Sequence, residues 1–202
     1  MIYWKNKRAS RQWRDALLCY NGFMILKGEK VRLRPITLAD APRFVKWFND
    51  AGVIKYLQRK KGMTLAKERK WIKEMPKKAK TDKRFAIETL QAVHIGSIGL
   101  HQINLDSKHC GLGIMIGEKK CWDHGLGTDA MKTILTYAFN KLKMHRVELD
   151  VYEYNKRAIK VYKRLGFRRE GIKREHRFYK GKFYNTFHMS ILDREWKKQH
   201  KR

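Results

Sequence analysis

Apolar positions along the chain switch between two periods, and the switches predict a succession of strands and helices. Glu29–Ile36 alternates, with Val31 and Leu33 on one side and Pro35 near the end of the run, and reads as a strand. Thr37–Asn49 changes to the helical period: Leu38, Ala41, Val45 and Phe48 share a face, with Thr37 and Asp40 at capping-box spacing. Thr64–Met75 is a second amphipathic helix, through Leu65, Trp71, Ile72 and Met75, stopped by Pro76. Arg84–Leu90 and His94–Ile103 predict a hairpin across Gln91, Ala92 and Val93. Cys110–Gly117 reads as a buried strand, and Gly125–Asn140 as a helix with Ala130, Ile134, Leu135, Ala138 and Phe139 inward. Arg146–Tyr152 alternates as a strand, and Asn155–Leu165 is a third long helix with Gly166 just past its end. Gly171–Tyr179 and Phe183–Leu192 form a last hairpin about Lys180, Gly181 and Lys182. Strand, two helices, three strands, helix, strand, helix and two strands predict one mixed α/β domain of the α+β kind.

The ends fall outside this rhythm. Residues 1–23 carry five basic residues and one acid with no clear apolar period, and read as a basic N-terminal appendage. They lack the apolar core and small-residue cleavage site of a secretory signal. Met24 opens a stretch that looks like an ordinary protein start, so the domain is expected over 24–197, with 198–202 a basic tail.

Composition narrows the class. A chain of 202 residues with 43% hydrophobic and 12% aromatic content supports one domain with a proper core. No apolar run approaches the roughly 20 residues that span a bilayer, so no membrane partner is expected. Cys19, Cys110 and Cys121 form no C-x-x-C pair, and the eight histidines show no zinc spacing. A reducing, cytoplasmic setting and no metal are the expectation. Charge is the unusual quantity: 48 Lys and Arg against 19 Asp and Glu give +29. Twelve basic and three acidic residues lie between Arg59 and Arg84, and fifteen and five between Lys141 and Lys182. Such a field attracts polyanions over a Debye length of about 8 Å; nucleic acid, a ribosome surface or a phosphorylated ligand would each benefit, and a simply solvated basic surface is the alternative.

Candidate chemistry concentrates in residues 110–167. A strand ending at Gly117 leads through a polar loop to Gly125-Leu126-Gly127-Thr128, which opens a helix. The free N–H groups and partial positive charge of a helix start can hold a pyrophosphate, and glycine lets phosphate oxygens approach the main chain. This is neither a Walker A loop nor a six-residue dinucleotide fingerprint. Farther on, Asn155, Ala158 and Tyr162 stand at i, i+3 and i+7 on one helical face, where the small alanine leaves room for a slender ligand arm.

Together these pieces resemble the acetyl-coenzyme A core of the Gcn5-related N-acetyltransferases (GNAT), in the branch that modifies ribosomal-protein N-termini and spermidine. The family's [QR]-x-x-G-x-[GA] signature stands here as Trp122-Asp123-His124-Gly125-Leu126-Gly127, with an atypical first residue. The pattern N-x-x-A-x-x-x-Y-x-x-x-G-F is matched from Asn155 to Phe167, and the resemblance extends over about 24–197. It implies the acyl-CoA N-acyltransferase fold, a central mixed sheet flanked by helices with one pair of parallel strands splayed apart. Acetyl-CoA is the implied cosubstrate. Main-chain groups of Met115, Ile116 and Gly117 would take the pantetheine arm, one N–H serving the thioester carbonyl. His124, Gly125, Leu126, Gly127 and Thr128 would cradle the pyrophosphate, and Asn155 would hydrogen-bond the pantetheine. Tyr162 would protonate the departing thiolate after direct attack by an amine.

One departure concerns the base. Relatives often carry an acid early in the strand where this chain has Gly111; Glu88 on the preceding strand is the nearest substitute, with Asp150 and Glu148 behind it. The leading acceptor is a protein amine, such as a ribosomal-protein N-terminus, with the basic surface docking on RNA. A small amine such as spermidine is the second reading, and a non-catalytic nucleic-acid or ribosome-binding module on the same fold the third. The sequence leaves the oligomeric state open, a dimer included.

Overall fold

A computed structural model describes residues 17–20, 23–57 and 62–200. In chain order the elements are β1 (Leu17–Tyr20), β2 (Phe23–Lys27), β3 (Val31–Pro35), α1 (Ala41–Asn49), α2 (Ala51–Ile54), α3 (Leu65–Glu74), β4 (Lys83–Thr89), β5 (His94–Asn104) and β6 (His109–Ile116). The second half adds α4 (Leu126–Asn140), β7 (Arg146–Tyr152), α5 (Lys156–Arg164), β8 (Arg168–Tyr179), β9 (Lys182–Leu192) and α6 (Asp193–Gln199). The strands form one sheet in the order β1-β2-β3-β4-β5-β6-β7-β9-β8. Neighbours are antiparallel except β6 and β7, which run parallel. The mixed sheet expected from the pattern is thus observed, with β8 at one edge.

Alternation along the strands divides the core between two faces. On one face Leu33, Ile87, Ile98, Leu112, Val147 and Leu149 pack with Ala130, Ile134 and Leu135 of α4 and Tyr162 of α5. On the other, Ala86 and Met115 pack with Phe44, Trp47 and Phe48 of α1, Val53 and Ile54 of α2 and Ile72 of α3. Their neighbours in sequence, Ile87 beside Ala86 and Ile114 and Ile116 beside Met115, pack with the first cluster, as a period of two requires.

Two boundaries differ from expectation. The sheet begins inside the segment set apart as an appendage, because Leu17–Tyr20 pairs antiparallel with Phe23–Met24 and on to Leu26. The intervening Asn21-Gly22 is a strong short-range hairpin signal, which the apolar period alone passes over. The rest of 1–23, and Lys201 and Arg202 of the tail, lie outside the described residues. At the other end α6 runs through the expected boundary at 197 to Gln199, fixed by Trp196, which is buried against Phe139.

Candidate active site

Parallel pairing between β6 and β7 lasts for only three residue pairs, His109 with Arg146, Cys110 with Val147 and Gly111 with Glu148. Beyond Gly111 the strands part, although β6 continues to Ile116 and β7 to Tyr152. The opening is a cleft of about 840 Å³ that crosses the sheet from the α4–α5 face to the α1–α3 face. Backbone groups on the parted edges are left for an extended ligand to complete, as an added strand would.

One end of the cleft is built by α4. Asp129 N–H is the first of that helix to find an intrahelical acceptor, Gly125 O at 3.0 Å, so those of Leu126, Gly127 and Thr128 remain for a ligand. Gly125, at φ +78°, turns the chain into the helix in a conformation that side chains disfavour. A methyl at Gly127 would only touch Ile116, at 3.5 Å, so the protein itself does not call for glycine there; the space is left open to the cleft. The helix start is clamped from behind. The buried Asp129 carboxylate accepts from the N–H groups of Glu29 (3.2 Å), Lys30 (2.8 Å) and Val31 (3.0 Å). Beside the loop, Trp122 Nε1 donates to Ile116 O at 2.8 Å and carries the Arg157 guanidinium 4.1 Å above its ring. A pyrophosphate fits this end: free helix amides, an open floor and nearby cations.

The wall opposite comes from α5. Asn155 caps that helix, its Oδ1 accepting from Ala158 N–H at 3.3 Å, and the residue lines the cleft. Ala158 and Tyr162 follow on the same face, and all three line the cleft. Burial pushes the Tyr162 phenol up to about 12, so it stays protonated at neutral pH.

On the α1–α3 side the cleft is walled by Phe48, Tyr56, Trp71, Arg84 and His101. Glu148, Asp150, Lys173 and His188 bound it from β7, β8 and β9. These carboxylates already have partners. Arg146 Nε donates to Glu148 at 2.9 Å, and Asp150 holds both Lys173 and His188, the latter at 2.8 Å. Burial would raise Asp150, but the hydrogen bonds from Lys173 and His188 outweigh it and leave it lowered.

Of the residues singled out from sequence, the structure brings Met115, Ile116, Gly125, Leu126, Gly127, Thr128, Asn155 and Tyr162 to the cleft. Three do not line it. Gly117 is buried beneath Trp47, whose ring would lie 2.1 Å from any Cβ there. His124 is exposed, with Nδ1 2.6 Å from Trp122 O. Glu88 sits apart in an ionic cluster: Arg32 Nε donates to it at 2.7 Å and Arg34 Nε at 2.6 Å, while Arg34 also grips Asp40. Burial alone would raise the Glu88 carboxyl, but the two guanidinium hydrogen bonds outweigh it and hold it lowered, the opposite of what a base requires. Sequence reasoning misses His101, His188 and Asp129 as residues of the cleft and its helix start. Their only sequence signal is position on a shared strand face or in the first helical turn, which becomes informative once the register is known. Among the described residues no cluster of three His, Cys, Asp or Glu side chains could hold a metal, and no helix is long and apolar enough to cross a membrane.

A mixed sheet opened between two parallel strands, with a glycine-rich helix start at one end of the gap, defines an acyl-CoA N-acyltransferase. Residues 30–168 match the acetyltransferase (GNAT) domain family, and the chain belongs to it. It is similar to the uncharacterized N-acetyltransferase p20 of Bacillus licheniformis, 26% identical over 172 residues, or 83% of this chain and 96% of p20. YdaF of Bacillus subtilis strain 168, provisionally named a ribosomal N-acetyltransferase, is 31% identical over 101 residues, 50% of this chain and 55% of YdaF. The fold is also that of the spermidine N-acetyltransferase from Vibrio cholerae crystallised with CoA and spermine. That match has a TM-score of 0.75 at 23% identity, over 82% of this chain and 97% of the other. The protein is an acetyl-CoA-dependent N-acetyltransferase acting on an amine.

Proposed function

We propose that the chain acetylates a protein α-amino group, with a ribosomal-protein N-terminus as the acceptor, in the cytoplasm. The observation that carries this reading is the pairing of the acceptor-side carboxylates. A polyamine brings several ammonium charges and calls for unpaired acids, whereas Glu148 and Asp150 are already matched by Arg146, Lys173 and His188. Phe48, Tyr56 and Trp71 offer instead an apolar wall suited to the first side chains of a peptide. The basic surface supports a ribosomal setting: Phe178 and Phe183, each 60% exposed, meet with tilted rings 4.9 Å apart at the β8–β9 tip beside Lys180 and Lys182. Aromatic rings among cations suit RNA. The likeness to a spermidine N-acetyltransferase supports the second reading, acetylation of spermidine.

The residues take these parts. The free amides of Leu126, Gly127 and Thr128 bind the pyrophosphate, and Asn155 orients the pantetheine arm along β6. N–H groups on the parted edge of β6, around Met115 and Ile116, meet the negative charge that develops on the carbonyl oxygen during attack. The Tyr162 hydroxyl, still protonated at pH 7, donates to the leaving sulfur. No covalent enzyme intermediate is required, and Cys110, whose thiol burial pushes up to about 12, takes no part.

Incubation with acetyl-CoA and either a ribosomal-protein N-terminal peptide or spermidine, read by intact-mass spectrometry, tests the reading. The peptide should gain one acetyl group at its α-amine, with kcat/KM above that of spermidine by about tenfold or more, or about 1.4 kcal/mol in transition-state binding. Preference for spermidine in the same ratio would establish the second reading.

A further inference from the structure

Attack on the thioester leaves a proton on the incoming nitrogen that some group must accept, and most titratable groups around the cleft are engaged elsewhere. Glu148 is bonded to Arg146, and Asp150 to Lys173 and His188. His188 has Nδ1 on Asp150 and Nε2 3.3 Å from an Arg146 nitrogen, so both of its ring nitrogens are occupied. Tyr162 does not ionise below about pH 12.

His101 is placed differently. It stands on β5 directly opposite Gly111 of β6, which in turn faces Glu148 of β7 across the last parallel pair before the strands part. Its imidazole lies over the Gly111 backbone: a Cβ at 111 would be 2.2 Å from Cε1 and 2.6 Å from Nδ1. Only glycine at 111 lets the ring occupy the vertex of the splay. Two residues along on the same face, nothing lies within 4 Å of a Cβ built on Gly113, so the floor beside the ring is open.

Local backbone distortion aims the side chain. The register of β5 against β6 shifts between His101 and Asn104, and Gln102 adopts φ +52°, a left-handed conformation costing about 1 kcal/mol or more. The bulge is held by Ile103 N–H on Thr81 O at 2.8 Å and Gln102 N–H on Asp82 at 3.4 Å. Bulges of this kind re-aim side chains beside active sites.

We propose that His101 is the general base of the acetyl transfer, its imidazole accepting the proton of the attacking amine. The proposal deepens the acetyltransferase reading and depends on it. As the C–N bond forms and the C–S bond breaks, one N–H proton passes from the amine nitrogen to the imidazole, directly or through one water. Tyr162 supplies the proton gained by sulfur, and solvent returns the tyrosinate and imidazolium to their starting states. Burial first, and then the positive charge of Arg84, depress the His101 pKa, so the ring is neutral and has a lone pair at pH 7. Asp82 and Glu148 oppose that depression, as does a hydrogen bond with Gln102, without reversing it.

His101→Gln, assayed with the accepted amine over a pH series, provides the test. Turnover should fall by about 10²–10⁴, with acetyl-CoA affinity unchanged and the acidic limb of kcat/KM abolished. Free imidazole should restore part of the turnover of His101→Ala. In the wild-type chain, the midpoint of the acidic limb should coincide with that of the His101 ring followed by NMR, below the ordinary 6.5. Wild-type turnover and an intact acidic limb in His101→Gln, or NMR and kinetic midpoints that disagree, would overturn the assignment while leaving the acetyltransferase reading standing. A wild-type chain that acetylates no amine would overturn both.

Discussion

At the scale of single residues, the catalytic reading turns on one hydroxyl. Tyr162→Phe removes the phenolic oxygen and keeps the ring's packing beside Phe167, at 5.9 Å between centroids. Acetyl-CoA affinity should change little while kcat falls by about 10²–10⁴, or roughly 3–5 kcal/mol of transition-state stabilisation. A single-turnover comparison checks this, and variants differing by less than threefold would return Tyr162 to a packing role. Because burial holds the phenol at about 12, no basic limb from Tyr162 should appear in the pH profile below that value. Tyr162 and Asn155 could be located from sequence because their spacing lies within one helix, and Gly125–Thr128 because it opens another. Glu88 could not. The partners that remove it from consideration, Arg32 and Arg34, are 56 and 54 residues away and meet it only through the pairing of β3 with β4. His101 was hidden for a related reason: its value comes from a glycine on the next strand and from a bulge, neither of which has a periodic signature.

Elements position these residues, and the clearest case is the clamp between α4 and the β2–β3 turn. Asp129→Ala would strip three backbone N–H groups of their acceptor, one of them fully buried. A stability loss of about 2–4 kcal/mol is expected in urea unfolding. Acetyl-CoA affinity should also weaken by about tenfold, because the amides proposed to receive the pyrophosphate lie in the same helical turn. An unchanged affinity in a folded variant would mean that the helix start holds its shape without the turn. Most elements follow from the apolar period: β7 has the expected bounds, and α3, α4 and α5 differ by a residue or so at each end. Four short elements escaped: β1, β2, α2 and α6. β1 and β2 are strands of four and five residues flanking an Asn-Gly pair in the sequence, α2 is a single turn capped by Asp50, and α6 is held through a single buried tryptophan.

For the whole molecule the governing quantity is charge. With +29 over 202 residues, the proposed contact with ribosomal RNA should weaken linearly in log affinity against log salt, with a slope of about 0.9 or less per phosphate neutralised. Co-sedimentation with ribosomes across a salt series measures that slope, and binding indifferent to salt would leave the charge without a nucleic-acid partner. The same charge bears on the outermost strand. β8 ends the sheet with twelve residues whose outer backbone edge has no strand partner among the described residues, and most of its side chains are exposed. An edge of that length is a template on which a second chain can extend the sheet, the first step of aggregation. Arg168, Arg169, Lys173, Arg174 and Arg177 stud this strand, so another copy approaching it meets like charge along its length. At about 1 M salt, where the Debye length shrinks to about 3 Å, that repulsion is screened away. The four arginines and one lysine of β8 thus act as colloidal insulation, keeping an open sheet from growing into a fibre whether or not the enzyme is turning over.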